Sequence, residues 1–73
     1  MGRLAYKFAD VIRKLQAAGF IAVSQKGSHV KLIRQDASGT RTAIVPRHRE
    51  LATGTLRSIL RQANLSVDDF EAL

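Results

Sequence analysis

The chain has no cysteine, no tryptophan, a single proline and no long apolar run. Without cysteine it cannot form a disulfide scaffold, a thiol nucleophile or a thiolate metal site. No apolar stretch approaches the roughly 20 residues needed to cross a bilayer, and the beginning of the chain lacks the apolar segment of a signal peptide. We therefore expect a cytoplasmic protein that makes no contact with a membrane.

Common catalytic motifs are also missing. The sequence contains no P-loop, no GxGxxG and no HExxH motif. Its six carboxylates show no spacing that would gather two of them beside a histidine, so a metal-dependent nuclease is not favoured. A chain of 73 residues forms one small domain, here 1–73, and it cannot enclose a large cofactor as well as a core. We expect a shallow site that holds no metal and no cofactor.

Positive charge is in excess and is unevenly distributed. Twelve Lys and Arg residues face six Asp and Glu residues, which gives a net charge of +6. Residues 1–49 hold ten bases and two acids, a net of +8, whereas residues 50–73 hold two bases and four acids, a net of −2. A small basic domain most often binds a polyanion such as nucleic acid, although charge that serves solubility alone is the alternative.

Apolar residues recur with helical spacing near both ends of the chain. In the first part they stand at Phe8, Val11, Ile12 and Leu15, and in the second at Leu56, Ile59, Leu60 and Ala63. This spacing predicts one helix over Tyr6–Ala18, closed by Gly19, and another that Thr53 caps and Asn64 closes. Farther on, Ser66 with an acid three residues later predicts the start of a short third helix.

Three strands are predicted between the two main helices, at Phe20–Gln25, His29–Gln35 and Thr40–Val45. Gly27 and Ser28 supply the first turn, "DASG" supplies the second, and Pro46 ends the third strand. Residues 47–54 are expected to cross back as a loop.

The predicted fold is α+β. It has a three-stranded antiparallel sheet, two main helices on one face of that sheet and a short C-terminal helix. Two short connections imply an antiparallel meander, and the two helices would cover one face while the other stays open. Double-stranded RNA-binding domains have the same α-β-β-β-α order, a likeness of fold that says little about activity.

The segment "QKGSH" is the strongest candidate for a site. His29 begins the second predicted strand, and Lys26 and Lys31 flank it. An imidazole titrates near neutral pH, so it can take a proton from a ribose 2′-hydroxyl or give one to a leaving 5′-oxygen. RNA carries its own nucleophile, and a ribonuclease of this kind needs no metal. We expect His29 to be catalytic, with Lys26, Gly27, Ser28 and Lys31 binding the RNA phosphates.

Plainer interpretations remain open at this point. A histidine at the start of a strand is usually a surface residue, and a glycine there can serve the hairpin alone. His48 lies in another cationic loop, and Arg34, Arg41 and Arg47 are weaker candidates for RNA contacts. A non-catalytic RNA-binding module and a protein-interaction adaptor are the rival functions. The first would bind RNA in a salt-sensitive way without cutting it, and the second would show no RNA affinity at moderate salt.

Several stretches, taken in order, resemble the HicA family of bacterial toxins. They are "AAGF", "QKGSH", a "VP" before a histidine, and "ELATGTLRSILRQANLSVDDF", and together they run from about Ala9 to Phe70. The resemblance implies an endoribonuclease that cleaves messenger RNA and arrests growth, with the fold just described. It also implies a HicB antitoxin in a toxin–antitoxin hetero-oligomer, and the histidine of the "GSH" segment, His29, as the catalytic residue. Two positions depart from the family pattern: Asn64 stands where glycine is common, and Val30 stands where a polar residue is frequent.

Overall fold

The computed structural model of the chain describes residues 5–73. Their order is β1 (Ala5–Lys7), α1 (Phe8–Ala17), β2 (Ile21–Lys26), β3 (His29–Asp36), β4 (Gly39–Pro46), β5 (Glu50–Ala52), α2 (Thr53–Ala63) and α3 (Val67–Glu71). The α+β class is confirmed, with a three-stranded antiparallel sheet in the order β2-β3-β4. The two main helices and the short C-terminal helix are also as predicted, and the arrangement is consistent with that of a double-stranded RNA-binding domain.

Two-residue turns set the register of the three-stranded sheet. Lys26 pairs with His29 across the Gly27–Ser28 turn, and Asp36 pairs with Gly39 across the next turn. Gly27 has φ +59°, a left-handed conformation that glycine adopts without steric cost. A bulge between Ala22 and Ser24 interrupts the pairing of β2 with β3.

A two-stranded antiparallel sheet of β1 and β5 was not predicted. Sequence reasoning began the first helix at Tyr6 and treated residues 47–54 as a loop, whereas α1 begins at Phe8 and β5 occupies part of that loop. Tyr6 and Leu51 pair with each other and are both buried, while the other residues of these strands are exposed. Three-residue strands are too short to show the alternation by which a strand is recognised in a sequence.

The helix ends follow the expected chemistry with one shift. The N-cap of α2 is Ala52, so the predicted cap at Thr53 was wrong by one residue. Asn64 ends α2 with φ 58° and ψ 43°, the left-handed conformation that asparagine tolerates. The Ser66 side chain accepts a hydrogen bond from the Asp69 N–H at 3.0 Å and caps α3, as predicted.

The core lies between the helices and one face of the three-stranded sheet. Val30 and Leu32 of β3 and Ala43 and Val45 of β4 are buried on that face. The helices and connecting segments contribute the other buried residues, among them Val11, Leu15, Phe20, Leu56, Ile59, Leu60, Ala63 and Phe70. Within residues 5–73 no helix covers the opposite face of the sheet, as predicted, and this face carries His29, Lys31 and Ile44. Within residues 5–73 no helix is long and apolar enough to span a membrane.

Arg34 joins the sheet to the end of α1. Its guanidinium donates a hydrogen bond to the carbonyl oxygen of Ala18 at 3.2 Å and lies 4.9 Å from the centre of the Phe20 ring. The same group lies 3.4 Å from a carboxylate oxygen of Asp36. These contacts are structural: they fix the end of the sheet that is remote from the first turn.

Candidate active site

His29 is the first residue of the central strand and is exposed. Val30, its neighbour along the strand, points into the core. Because successive side chains of a strand alternate between faces, His29 lies on the open face of the sheet. Its partners in the two ladders are Lys26 on one side and Pro46 on the other. The imidazole therefore lies at the end of the sheet, between strands β2 and β4, and is exposed to solvent.

The turn before His29 is held in place by its backbone. The carbonyl oxygen of Ser28 accepts a hydrogen bond from the Arg47 N–H, which ties the turn to the segment after β4. The hydroxyl of Ser28 lies 3.4 Å from Nδ1 of His29, and which of the two donates depends on the tautomer of the ring. A serine at this position can thus restrain the ring and leave Nε2 free to face a ligand.

Two lysines share the open face with His29. Lys26 is its direct ladder partner, and directly paired residues project to the same side of a sheet. Lys31 is two residues farther along β3, about 7 Å away along the strand. Both lysines are exposed, and within residues 5–73 neither forms an ion pair. The structure thus brings together His29 and the four residues that the sequence predicted to bind phosphate beside it, Lys26, Gly27, Ser28 and Lys31.

The weaker candidates are divided between two places. Arg34 pairs with Arg41 in the ladder, on the face that carries Val30 and Leu32 and not on that of His29. Arg34 is also five residues from His29 along β3, which corresponds to about 17 Å. Its guanidinium already contacts the Ala18 carbonyl oxygen and the Phe20 ring. We therefore do not place Arg34 and Arg41 at the site. Arg47 is exposed and its backbone bonds the turn, so it adjoins the site.

Exposed apolar side chains on the open face were not predicted as part of the site. Ile44 is the ladder partner of Lys31 and is 36% exposed, and Ile21, the partner of Ile33, is 66% exposed. Ile33 falls on the His29 side of its strand, where an apolar residue is unexpected if that face meets only water. The presence of Ile33 on this side of the strand was the feature of the sequence that could have indicated a partly apolar open face.

No group of three or more His, Asp or Glu side chains that could hold a metal ion occurs in the described part of the chain. The nearest acid in sequence to His29 is Asp36, at the other end of β3. The side chains that the structure brings together at the site offer an imidazole, a hydroxyl and two ammonium groups, and Arg47 adjoins them.

Comparison of the sequence with models of known protein families identifies the family of the chain. A family model described as the HicA toxin of bacterial toxin–antitoxin systems matches residues 8–65, more than half of the 73-residue chain. The chain belongs to the HicA toxin family. The match begins with α1 and includes the whole three-stranded sheet with His29 and both lysines. No curated protein matches the chain.

Membership of the HicA family indicates the biological role of the protein in two respects. The chain is of the toxin type, and the family belongs to systems in which each toxin has an antitoxin partner. The resemblance found in the sequence is thereby confirmed.

Proposed function

We propose that this HicA toxin is an endoribonuclease that cleaves messenger RNA without a metal, with His29 as the group that transfers protons. One observation carries the proposal: His29 is exposed on the open face of the sheet, with Lys26 across the ladder and Lys31 two residues along. An imidazole with two nearby cations meets the needs of RNA transesterification. General acid–base catalysis of this kind contributes about 10² to 10⁴-fold to the rate.

The proposed step uses the 2′-hydroxyl of the RNA as the nucleophile. A bond forms between the 2′-oxygen and the adjacent phosphorus, and the bond from phosphorus to the 5′-oxygen breaks. The imidazole takes the proton of the 2′-hydroxyl or protonates the leaving 5′-oxygen, and water serves as the other partner. The products are a 2′,3′-cyclic phosphate and a 5′-hydroxyl.

The two lysines have a separate part in this step. The phosphate gains negative charge as the bonds exchange, and ammonium groups close to it stabilise that charge. The Gly27–Ser28 turn adds backbone N–H groups that a phosphate oxygen can approach closely, because glycine has no side chain in the way. In this account Lys26, Gly27, Ser28 and Lys31 bind the substrate, and His29 acts on it.

The test is RNA cleavage in the presence of a chelator by the native protein and by His29→Ala. We expect the native rate to be the same with and without chelator and His29→Ala to be inactive. Because His29 is exposed, we expect His29→Ala to fold like the native protein, and a thermal melt of both proteins checks this. Equal rates for the two proteins would remove His29 from the proposal, and loss of native activity in chelator would remove the metal-free mechanism.

A non-catalytic RNA-binding module is the second candidate. It is favoured by the succession of α1, the three-stranded sheet and α2, an order of main elements that double-stranded RNA-binding domains also have. It would bind RNA through the same basic face, and binding would weaken as salt rises. The cleavage experiment separates the two functions, because a binding module leaves the RNA intact in every reaction.

We further propose that the antitoxin partner is of the HicB type and covers the open face of the sheet. Ile44 exposes apolar surface there as the ladder partner of Lys31, and Ile21 exposes more at the end of β2 remote from Lys26. A partner with apolar and acidic residues would therefore fit this face. Covering this face would block access to His29. Co-purification from cells that express both proteins tests the surface: Lys31→Glu should weaken the complex, whereas Arg61→Glu on α2 should not. An undiminished complex with Lys31→Glu would place the antitoxin elsewhere.

A further inference from the structure

A second basic site lies at the beginning of α1. Lys7 and Arg49 line a cleft of about 330 Å³ together with Phe8 and Ala9. The two cations come from different parts of the chain, β1 and the segment before β5. The Phe8 N–H donates a hydrogen bond to the carbonyl oxygen of Arg49 at 3.0 Å, which fixes these two parts against each other.

The charge of this cleft is not neutralised. Its lining contains no acidic side chain, and in the part of the chain that the structure describes neither Lys7 nor Arg49 forms an ion pair. Glu50 is the ladder partner of Lys7 and is the acid closest to it in the sheet, yet the two are not within ion-pair distance. Both cations are exposed and available to an anion.

The cleft is connected to His29 by a short stretch of chain. Pro46 pairs directly with His29, and directly paired residues have Cα atoms about 5.5 Å apart at most. Arg49 is three residues farther on, and three residues span at most about 11 Å. The Cα atoms of His29 and Arg49 therefore lie within about 17 Å of each other. Successive nucleotides of a stacked strand are about 3.4 Å apart. A strand of up to about five nucleotides would therefore span the distance from His29 to Arg49.

We propose that the Lys7–Arg49 cleft binds a backbone phosphate of the same RNA strand that is cut at His29. The substrate would then be an RNA segment of several nucleotides, held at two places. A guanidinium binds phosphate through two parallel hydrogen bonds, and an ammonium adds a point charge. The identity of the strand rests on the function proposed above, whereas the affinity of the cleft for RNA phosphate does not.

Binding is measured first, with His29→Ala protein so that the RNA stays intact. Fluorescence anisotropy of a labelled single-stranded RNA gives the affinity over a range of salt concentrations. We expect Lys7→Gln and Arg49→Gln each to weaken binding and to lower the salt slope by about 0.7, the value for one lost phosphate contact on a single strand. Arg61→Gln in the last turn of α2 is the control with the same change of charge, and its slope should stay at the parent value. Glu50→Gln should strengthen binding.

Cleavage of a longer RNA is measured next, with His29 present. We expect Lys7→Gln and Arg49→Gln to raise KM and to leave kcat close to native, since the cleft holds the strand and takes no part in the chemistry. Unchanged salt slopes and KM values would overturn the second site while leaving the nuclease intact. Lowered slopes without any cleavage by the native protein would support the site and overturn the nuclease. No binding of RNA at low salt would overturn both.

Discussion

The backbone N–H of Arg47 donates a hydrogen bond to the carbonyl oxygen of Ser28. This bond joins the basic segment after β4 to the turn that precedes His29. It adds a backbone contact beyond the sheet, because Arg47 follows Pro46, the last residue of β4. As a result the two parts of the chain that carry most of the candidate RNA contacts lie side by side at one end of the sheet.

Lys31→Gln should reduce kcat/KM for RNA most strongly at low salt. The lysine is exposed on the open face, so its attraction to phosphate is screened as ionic strength rises. Cleavage rates of the native protein and the variant, compared at low and high salt, check this. Arg61→Gln is the matched control and should follow the native protein. A deficit that is independent of salt would mean that Lys31 does not act through its charge.

Gly27→Asn should keep the fold but weaken RNA binding. Gly27 has φ +59°, which asparagine tolerates, and a Cβ added there meets no other atom within 4 Å. The added side chain would, however, stand where a phosphate is proposed to approach the turn. Melting temperature and RNA affinity are measured together, and Gly27→Val, which should cost roughly 1–2 kcal/mol of stability, serves as the strained comparison. Native affinity in Gly27→Asn would show that the glycine serves only the hairpin.

Arg34→Met should destabilise the protein by about 1–3 kcal/mol without changing its activity. The variant loses the hydrogen bond to Ala18 and the stacking on Phe20. Denaturant unfolding gives the stability, and the exposed Arg13→Met provides the comparison, with an expected change within about 0.5 kcal/mol. A loss of RNA cleavage in folded Arg34→Met would show that this arginine contacts the substrate after all.

Asp36 should make stability depend on pH in the acid range. The side-chain and backbone hydrogen bonds from Ser38 and the nearby Arg34 hold the pKa of Asp36 below its ordinary value of 3.8. Since the pKa is lower in the folded chain, the ionised carboxylate adds stability above about pH 3.8, and this is lost as the pH falls through the folded value. The difference in unfolding free energy between native protein and Asp36→Asn, measured from pH 5 to pH 2, should shrink with falling pH. A constant difference would contradict the assignment.

Both main helices and the central strand could be predicted because each shows its period over several turns or residues. The two outer strands could be predicted from their β-branched residues and from the turns and the proline that bound them. In β3, the alternation of His29 and Lys31 with Val30 and Leu32 is enough to place the imidazole on the open face. Asn64 and Ser66 could be assigned because single residues of these types satisfy particular backbone groups at helix ends.

What the sequence could not show depends on contacts between distant segments. The pairing of Tyr6 with Leu51 joins parts of the chain that are far apart, and neither three-residue strand has a period of its own. The role of Arg34 was missed for the same reason. The sequence of a strand does not show that its arginine will contact the Phe20 ring and the Ala18 carbonyl oxygen. The cleft of Lys7 and Arg49 follows from the β1–β5 pairing and was hidden with it.

The most direct test compares single-turnover cleavage of one RNA by the native protein, His29→Gln and His48→Gln, with the ends of the products mapped. Both histidines are exposed, so each glutamine variant should melt like the native protein. We predict a loss of about 10² to 10⁴-fold for His29→Gln, a rate close to native for His48→Gln, and a 2′,3′-cyclic phosphate on the product of the native reaction. Undiminished cleavage by His29→Gln would contradict the assignment of His29 as the proton-transferring residue.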